Sequence, residues 1–252
     1  MPTLDRDGVR IHYDVHGEGE RTLLLSHGWG ASSRMFGANV AALAEQRTVI
    51  TWDLRGHGRS DYPSDPARYS VPLAVGDMIG LLDTVGAERA VIAGHSLGGY
   101  LSLSLLLDHP ERVEALVLID TGPGFRKTEP REQWNAMAER YAARLDRRGL
   151  AGLDAGPEQR VDQHRDATGL AHSARGILTQ HGARVLDSLP AIGVPTLVVV
   201  GSDDEAFVPA AKYMAAKIPG AVLVEIAGAG HAPNVTHSEL FDRHLLDFLG
   251  GL

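Results

Sequence analysis

The chain has 252 residues, 44% of them apolar and 22% charged, which is enough apolar sequence for one large core. Its net charge of −8 argues against a surface that binds nucleic acid or an anionic membrane, because such surfaces are basic. It has no cysteine, which excludes disulfides, thiolate catalysis and cysteine-ligated metal centres.

The first half of the chain alternates apolar runs with helical or glycine-punctuated segments. Residues 9–15 alternate apolar and polar side chains, which predicts a half-exposed edge strand. The later runs are continuously apolar, as expected of strands buried on both faces of a parallel sheet. Strands are predicted over 9–15, 22–26, 47–52, 89–93 and 115–119, and helices over 34–45, 71–85 and 97–108.

Residues 124–190 have a different sequence pattern: strand-like apolar runs are replaced by charged helical segments separated by glycine. In the first of these segments Thr128 can cap a helix. Trp134, Met137 and Tyr141 fall on one face of that helix, at spacings of three and four residues. An amphipathic face of this kind must be buried, so we predict that the segment is a helical lid over the sheet.

The alternation of strands and helices returns after the lid segment. Strands are predicted over 194–201 and 222–226, and helices over 209–218 and 237–249. The fold class is therefore α/β, with a mostly parallel central sheet and helices on both faces. Residues 1–123 and 191–252 form the core, and residues 124–190 form the inserted lid. No segment is long and apolar enough to span a bilayer and no signal peptide is visible, so a cytoplasmic protein is expected.

Gly94-x-Ser96-x-Gly98 lies between a predicted strand and a predicted helix, which is the context of a nucleophile elbow. A serine there sits on a tight, strained turn with its hydroxyl exposed. The first turn of the helix adds unpaired N–H groups that favour a developing oxyanion. The alternative is a plain glycine-rich turn between a strand and a helix.

Other chemistry-bearing residues also follow predicted strands directly. Asp120 follows one strand, the acidic run 203–205 follows another, and His231 follows the last. Because ligand sites of open parallel sheets lie at the carboxyl ends of the strands, these groups should meet near Ser96. Their order along the chain, Ser, Asp, His, is the one expected of the α/β-hydrolase arrangement.

The chain resembles the α/β-hydrolase family, in particular its small, lidded, bacterial members. The resemblance rests on five motifs in the family's order: HGWG at 27–30, DLRGHGRS at 53–60, GHSLGG at 94–99, GSDD at 201–204 and GAGH at 228–231. The chain is most similar to enol-lactonases, meta-cleavage-product C–C hydrolases and cofactor-free esterase/haloperoxidases. Haloalkane dehalogenases and epoxide hydrolases carry Asp at the elbow, so Ser96 sets this chain apart from them.

The resemblance implies a role for particular residues. The family's spacing from Gly201 selects Asp204 as the acid of a triad, and the oxyanion donors are then the backbone N–H groups of Trp29 and Leu97. Two other carboxylates stay open as the acid: Asp203, and Asp120, which could instead cap the turn at Thr121.

His231 is the predicted base among twelve histidines, because it lies in a glycine-rich loop after the last strand. His95 precedes the nucleophile and should turn away from the reaction, and His27 is expected to brace the oxyanion loop. The remaining histidines considered are expected to be exposed or structural, or to begin the last helix: His57, His164, His172, His181 and His237.

The sequence thus predicts a serine hydrolase of small carboxylic esters or lactones, with no metal and no organic cofactor. Trp29, Trp134, Met137 and Tyr141 are the candidate pocket residues, with Met35 and Phe36 as further possibilities. Two alternatives stay open: hydrolysis of a C–C bond in a vinylogous diketone, and a lidded ligand-sensing receptor with little turnover. The expected partner is a small-molecule substrate, not nucleic acid or a membrane, and a homodimer stays open.

Overall fold

The computed structural model describes residues 2–154 and 156–252. Its strands are β1 (Thr3–Arg6), β2 (Val9–His16), β3 (Arg21–Ser26), β4 (Arg47–Trp52), β5 (Ala90–His95), β6 (Val113–Ile119), β7 (Thr196–Gly201) and β8 (Val222–Ile226). They form one sheet in the order β1-β2-β4-β3-β5-β6-β7-β8. The β1–β2 and β2–β4 pairs are antiparallel, and the pairs from β4 to β8 are parallel. The predicted, mostly parallel sheet is confirmed.

Along the chain, helices alternate with strands both before and after residues 124–190. They are α1 (Val40–Leu43), α2 (Val71–Thr84), α3 (Leu97–Asp108), α4 (Thr128–Arg148), α5 (Ala167–Ser173), α6 (Arg184–Ser188), α7 (Val208–Lys217), α8 (Pro233–Thr236) and α9 (Ser238–Gly250). A π-helical turn covers Ala174–Leu178. Among the described residues, no helix has the length and apolar character that crossing a membrane requires.

Helices cover both faces of the sheet because successive strand residues point to opposite sides. Leu24 and Ile92 lie in one buried cluster, together with residues of α2, α3 and α4. Their chain neighbours Leu23 and Val91 lie in a second cluster, together with residues of α9. The central residues of the inner strands are therefore mostly apolar on both faces, and this is why the strands appear in the sequence as apolar runs.

The amino-terminal edge of the sheet differs from the prediction. β2 is not the edge strand, because β1 pairs with it from Thr3 to Arg6. The turn between them is Asp7-Gly8, and both residues have positive φ, 54° and 80°. Asp-Gly is the residue pair that two-residue hairpins favour, so the signal was in the sequence.

Two predicted helix features are also wrong. The helix over 34–45 is a 3-10 turn, Ser33–Phe36, followed by the four-residue α1. The side chain of Ser32 accepts a hydrogen bond from Arg34 N and so caps the first turn. Thr128 does not cap α4, because it is already the first helical residue and Lys127 precedes it without a capping side chain.

Residues 124–190 are helical in their described part, as the change of sequence pattern predicts. The longest element there is α4, which buries Ala138, Ala142 and Leu145. These small and apolar side chains let α4 pack against α5 and the π-helical turn. The segment joins β6 to β7, so it starts at the edge of the sheet where Ser96 and Asp120 lie and leads back to the opposite edge, where the parallel strand β7 begins. We refer to residues 124–190 below as the lid segment.

Candidate active site

Ser96 lies on the turn between β5 and α3 with φ 50° and ψ −114°, a conformation that non-glycine residues rarely adopt. The turn is tight because its flanking residues have no side chain. A Cβ on Gly94 would lie 2.1 Å from the carbonyl carbon of Gly98, and a Cβ on Gly98 would lie 2.2 Å from the carbonyl oxygen of Ser26. Ser96 N donates to the carbonyl oxygen of Ile119, 2.8 Å away, which ties the turn to β6.

His231 and Asp204 meet at the same edge, from the loops that follow β8 and β7. His231 Nδ1 lies 2.6 Å from Asp204 Oδ2. A carboxylate can only accept this bond, so Nδ1 carries the proton and Nε2 is the atom that can take another. Asp203 is exposed instead, and its carboxylate accepts from the hydroxyl of Ser202 at 2.9 Å. The structure thus brings Asp204, and not Asp203, to the histidine.

Asp120 is a third carboxyl group at this place. It is fully buried, has φ 41°, and accepts a hydrogen bond from Gly201 N on β7 at 2.9 Å. It therefore does not cap the turn at Thr121, because its oxygen reaches across to the neighbouring strand. Burial raises the pKa of Asp120 to about 9, and the adjacent Asp204 adds to the effect. Asp120 is therefore a neutral acid near pH 7.

One oxygen of Asp120, one of Asp204 and a ring nitrogen of His231 all lie within 4.8 Å of one another. This is a set of atoms that could approach a metal ion. The bond between His231 Nδ1 and Asp204 Oδ2 already joins two of the three groups, and a cation would have to compete with it. The arrangement is suited to proton transfer, since it fixes one tautomer of the imidazole.

The loop after β3 carries Trp29, and the first turn of α3 carries Leu97. Leu97 is the first residue of its helix, so its N–H has no acceptor within the helix. His27 braces the loop, as predicted: Nδ1 donates to the carbonyl oxygen of Gly28 at 2.7 Å, and Nε2 accepts from Leu54 N at 3.0 Å. Burial lowers the pKa of His27 to about 4, so the ring is neutral.

His57 and His164 hold the same loop through Gly30. Gly30 N donates to His57 Nε2 at 3.1 Å, and His164 Nε2 donates to the carbonyl oxygen of Gly30 at 2.9 Å. His164 Nδ1 also accepts from Gly58 N at 3.2 Å. Both histidines are buried, and burial holds the pKa of each below its usual value. They are structural residues, and neither is exposed.

Further hydrogen bonds join the lid segment to this loop. Gln159 Nε2 donates to the carbonyl oxygen of Trp29 at 3.2 Å, and Trp29 Nε1 donates to the carbonyl oxygen of Leu170 at 3.2 Å. The hydroxyl of Ser32 contacts the side-chain oxygen of Gln163. Together with His164, these residues fix the backbone that presents the Trp29 N–H. No pattern in the sequence indicates this link.

The side chain of His95 is directed to the loop of His231 and has a role of its own there. Its ring is buried, and Nε2 donates to the carbonyl oxygen of His231 at 2.6 Å. The centroids of the His95 and His231 rings are 4.7 Å apart. Burial holds the pKa of His95 well below its usual value, so it acts as a neutral donor that positions the loop of His231.

A cavity of about 340 Å³ lies between Ser96 and the lid segment. None of the described residues that line it carries a charge, and most are apolar. They are Ser96, Leu97, Tyr100, Thr121, Gly122, Pro123, Gly124, Phe125, Trp134, Met137, Leu178, Gln180, Ala206, Phe207 and Ala210. The cavity therefore joins the Ser96 turn to a mostly apolar compartment roofed by the lid segment.

The candidate pocket residues divide into two groups. Trp134 and Met137 line the cavity, as expected. Trp29 and Tyr141 are not among the lining residues; their rings stack on each other, 5.2 Å apart and 9° from parallel. Met35 and Phe36 are buried in the cluster on the α9 side of the sheet, and they do not line the cavity. Phe125 and Phe207, which the sequence did not single out, complete the aromatic lining.

The parallel sheet, the strained serine turn between β5 and α3, and the His231–Asp204 pair define an α/β hydrolase. The chain belongs to the alpha/beta hydrolase family, whose model matches residues 23–243.

Relatives cover the chain almost completely. RutD of Pseudomonas savastanoi, a protein named for carbamate hydrolysis, is 32% identical over an alignment of 267 positions that covers 95% of this chain and 97% of RutD. The enol-lactonase of Burkholderia xenovorans has a similar structure, with a TM-score of 0.79, 29% identity, and coverage of 99% of this chain and 100% of the lactonase. A thermophilic esterase of Thermogutta terrifontis also has a similar structure. Its TM-score is 0.83 and its sequence identity 26%, with coverage of 99% of this chain and 96% of the esterase.

Proposed function

We propose that this protein is a serine hydrolase of small carboxylic esters or lactones. The observation that carries the proposal is the 2.6 Å bond between His231 and Asp204, at the sheet edge where Ser96 occupies a strained turn. Nucleophile, base and orienting acid are the three parts that acyl transfer through a serine requires.

The proposed reaction has two halves. In the first, His231 Nε2 takes the proton of Ser96 Oγ as that oxygen attacks the substrate carbonyl carbon. The bond to the leaving oxygen then breaks, and His231 returns the proton to that oxygen. In the second half His231 deprotonates a water molecule, which attacks the acyl-serine and releases the acid while Ser96 regains its proton. In a lactone the leaving oxygen stays attached to the acyl group.

The N–H groups of Trp29 and Leu97 are the proposed donors to the oxyanion. Leu97 N–H points from the amino-terminal end of α3, where the helix dipole also favours negative charge. Removal of one such donor costs about 10²- to 10³-fold in turnover in well-studied cases. Both proposed donors are backbone groups, so their positions depend on the loops that hold them.

The cavity supports an uncharged substrate with an apolar body. Its described lining has four aromatic side chains and no cation to offset a carboxylate: Tyr100, Phe125, Trp134 and Phe207 provide the rings. A desolvated, unpaired carboxylate would be costly there. We therefore propose aryl or alkyl acyl groups as the substrate class.

Carbamates form a second candidate class, because RutD of Pseudomonas savastanoi is named for carbamate hydrolysis and is 32% identical over nearly the whole chain. A carbamate carbonyl offers the same electrophilic carbon to Ser96. The same oxyanion donors and the same base would serve it, so a substrate panel can decide between the two classes.

The test combines covalent labelling with a substrate panel. A fluorophosphonate should label Ser96, and Ser96→Ala should abolish both the label and the turnover, whereas exposed Ser64 gives a matched Ser64→Ala control. The panel contains p-nitrophenyl esters, lactones, aryl carbamates and a dienoate ring-fission product. Turnover of the last alone would establish the C–C hydrolase alternative. Tight binding without turnover of any of them would establish the receptor alternative.

A further inference from the structure

Gln180 has a fixed backbone in the lid segment. Asn135 of α4 donates through Nδ2 to the carbonyl oxygen of Gln180 at 2.9 Å and accepts from Gln180 N through Oδ1 at 2.8 Å. Nearby, Trp134 Nε1 donates to the carbonyl oxygen of Leu178 at 2.8 Å. These three bonds tie residues 178–180 to α4, so the direction of the Gln180 side chain is set by the lid itself.

The side chain of Gln180 lines the cavity that Ser96 also lines. The residue is only 7% exposed, and its Oε1 is buried with no hydrogen-bond partner in the described part of the chain. Gly124, with φ +89°, leaves room for this amide: a Cβ on Gly124 would lie 2.7 Å from Oε1. The fold thus leaves room for the amide oxygen of Gln180, but no other described residue forms a hydrogen bond with it.

A buried amide without a partner is unusual, since almost all buried polar groups in proteins are hydrogen-bonded. Leaving one unpaired destabilises the folded state, and an apolar side chain of the same size would avoid this cost. An amide at this place, in a cavity whose lining is mostly apolar, is therefore explained best by a ligand that completes its hydrogen bonds.

Building on the proposed hydrolase function, we propose that Gln180 is a specificity-determining residue that hydrogen-bonds an uncharged amide or hydroxyl group of the substrate. The amide oxygen accepts an N–H or O–H, and the amide nitrogen can donate to a carbonyl or hydroxyl oxygen of the same group. A carboxylate does not fit, because neither Gln180 nor any other described lining residue carries a positive charge. The substrate is thus an apolar ester or lactone with one neutral polar group.

The test compares matched esters with wild-type protein and with Gln180→Met, which keeps length and removes the amide. One ester is the p-nitrophenyl ester of N-acetyl-β-alanine, and its partner is the hydrocarbon ester of the same length and branching. A second pair of esters is one methylene longer, in case the amide must lie further from the ester carbonyl to contact Gln180. Gln133→Met on the exposed face of α4 is the control for the same exchange.

We expect the ratio of kcat/KM for the amide ester over the hydrocarbon ester to fall about fivefold to tenfold in Gln180→Met, as the loss of one net hydrogen bond predicts. The ratio should stay unchanged in Gln133→Met. The Tm of Gln180→Met should equal or exceed that of wild type, because an unpaired buried group is removed. An unchanged ratio in both pairs, or an equal fall in Gln133→Met, overturns the proposal and leaves water as the partner of the amide.

A binding measurement separates this proposal from the hydrolase proposal. Methyl ketones that correspond to the four esters can be titrated calorimetrically into Ser96→Ala, with and without Gln180→Met. A preference for the amide-bearing ketone that depends on Gln180 supports the specificity role even if wild-type protein turns over no ester. Equal affinity for the amide-bearing and the hydrocarbon ketone contradicts the role, whatever the turnover.

Discussion

His164 of the lid segment donates a hydrogen bond to the carbonyl oxygen of Gly30, 2.9 Å away, in the loop that presents the Trp29 N–H. Its other ring nitrogen accepts from Gly58 N, so both nitrogens of the neutral ring are used. The lid therefore has two connections to the proposed reaction. It encloses the cavity beside Ser96, and it fixes the backbone of Trp29, one of the two proposed oxyanion donors.

This relationship predicts that His164→Ala lowers kcat more than it changes KM. Release of Gly30 lets the Trp29 N–H leave its position, and small misplacements in an active site can cost about 10²-fold. We expect a fall of kcat by about tenfold to a hundredfold and a change of KM below about threefold. Steady-state kinetics well below the Tm of the variant gives both values.

The control is His181→Ala, which removes an exposed histidine of the same segment. It should leave both constants unchanged. If His164→Ala raises KM and spares kcat, the contact serves the pocket and not the oxyanion loop.

The choice of acid predicts a large difference between two neighbouring variants. Asp204→Asn removes the acceptor of His231 Nδ1–H and permits the wrong tautomer, so turnover should fall on the order of 10⁴-fold. Asp203→Asn should stay within about threefold of wild type, because Asp203 is exposed and bonded to Ser202. The kcat values of the two variants on one aryl ester decide the matter. The reverse ranking would mean that the carboxylates exchange roles in solution.

Asp120 predicts a dependence of stability on alkaline pH. Its pKa is raised to about 9 by burial and by Asp204, whereas an unfolded aspartate titrates near 3.9. Between these values the folded state binds one proton more than the unfolded state, so stability falls as pH rises through this window. Ionisation of Asp120 would place a second negative charge beside Asp204, with Glu158 adding a weaker repulsion and His231 facing the pair.

Asp120→Asn removes this titration, because asparagine keeps the size and the acceptor for Gly201 N but carries no charge. The fall of Tm between pH 5 and pH 9 should be shallower in the variant than in wild type. Asp203→Asn serves as the control, and it should keep the wild-type slope. A variant whose Tm follows the wild-type curve across this range shows that Asp120 is ionised in the folded protein.

The sequence predicts the central part of the fold well, because the inner strands are buried on both faces and so appear as apolar runs. It fails at the margins. β1 is a four-residue strand with mixed polarity, and only the Asp7-Gly8 turn signals it. The helix expected over 34–45 is broken because Ser32 caps a separate 3-10 turn within that stretch.

The candidate site was predictable where a residue follows a strand directly, as Ser96, Asp204 and His231 do. Contacts between distant segments were not. His164 and Gln180 lie in the lid segment, where no strand sets their direction, and their partners Gly30 and Asn135 are determined by tertiary packing. Tyr141 shows the same limit, since its position on the amphipathic face of α4 did not reveal that it stacks on Trp29 instead of facing the cavity.

The bonds between the lid segment and the loop of Trp29 and Gly30 constrain how such a protein can diversify. A lid grafted from another hydrolase would import a new compartment, yet it would leave two backbone carbonyls of the recipient loop without their donors. Such a chimaera should bind new molecules before it can transform them efficiently. We therefore expect a lid and its matching loop to be inherited together, and the sequences of the two segments to change together in evolution.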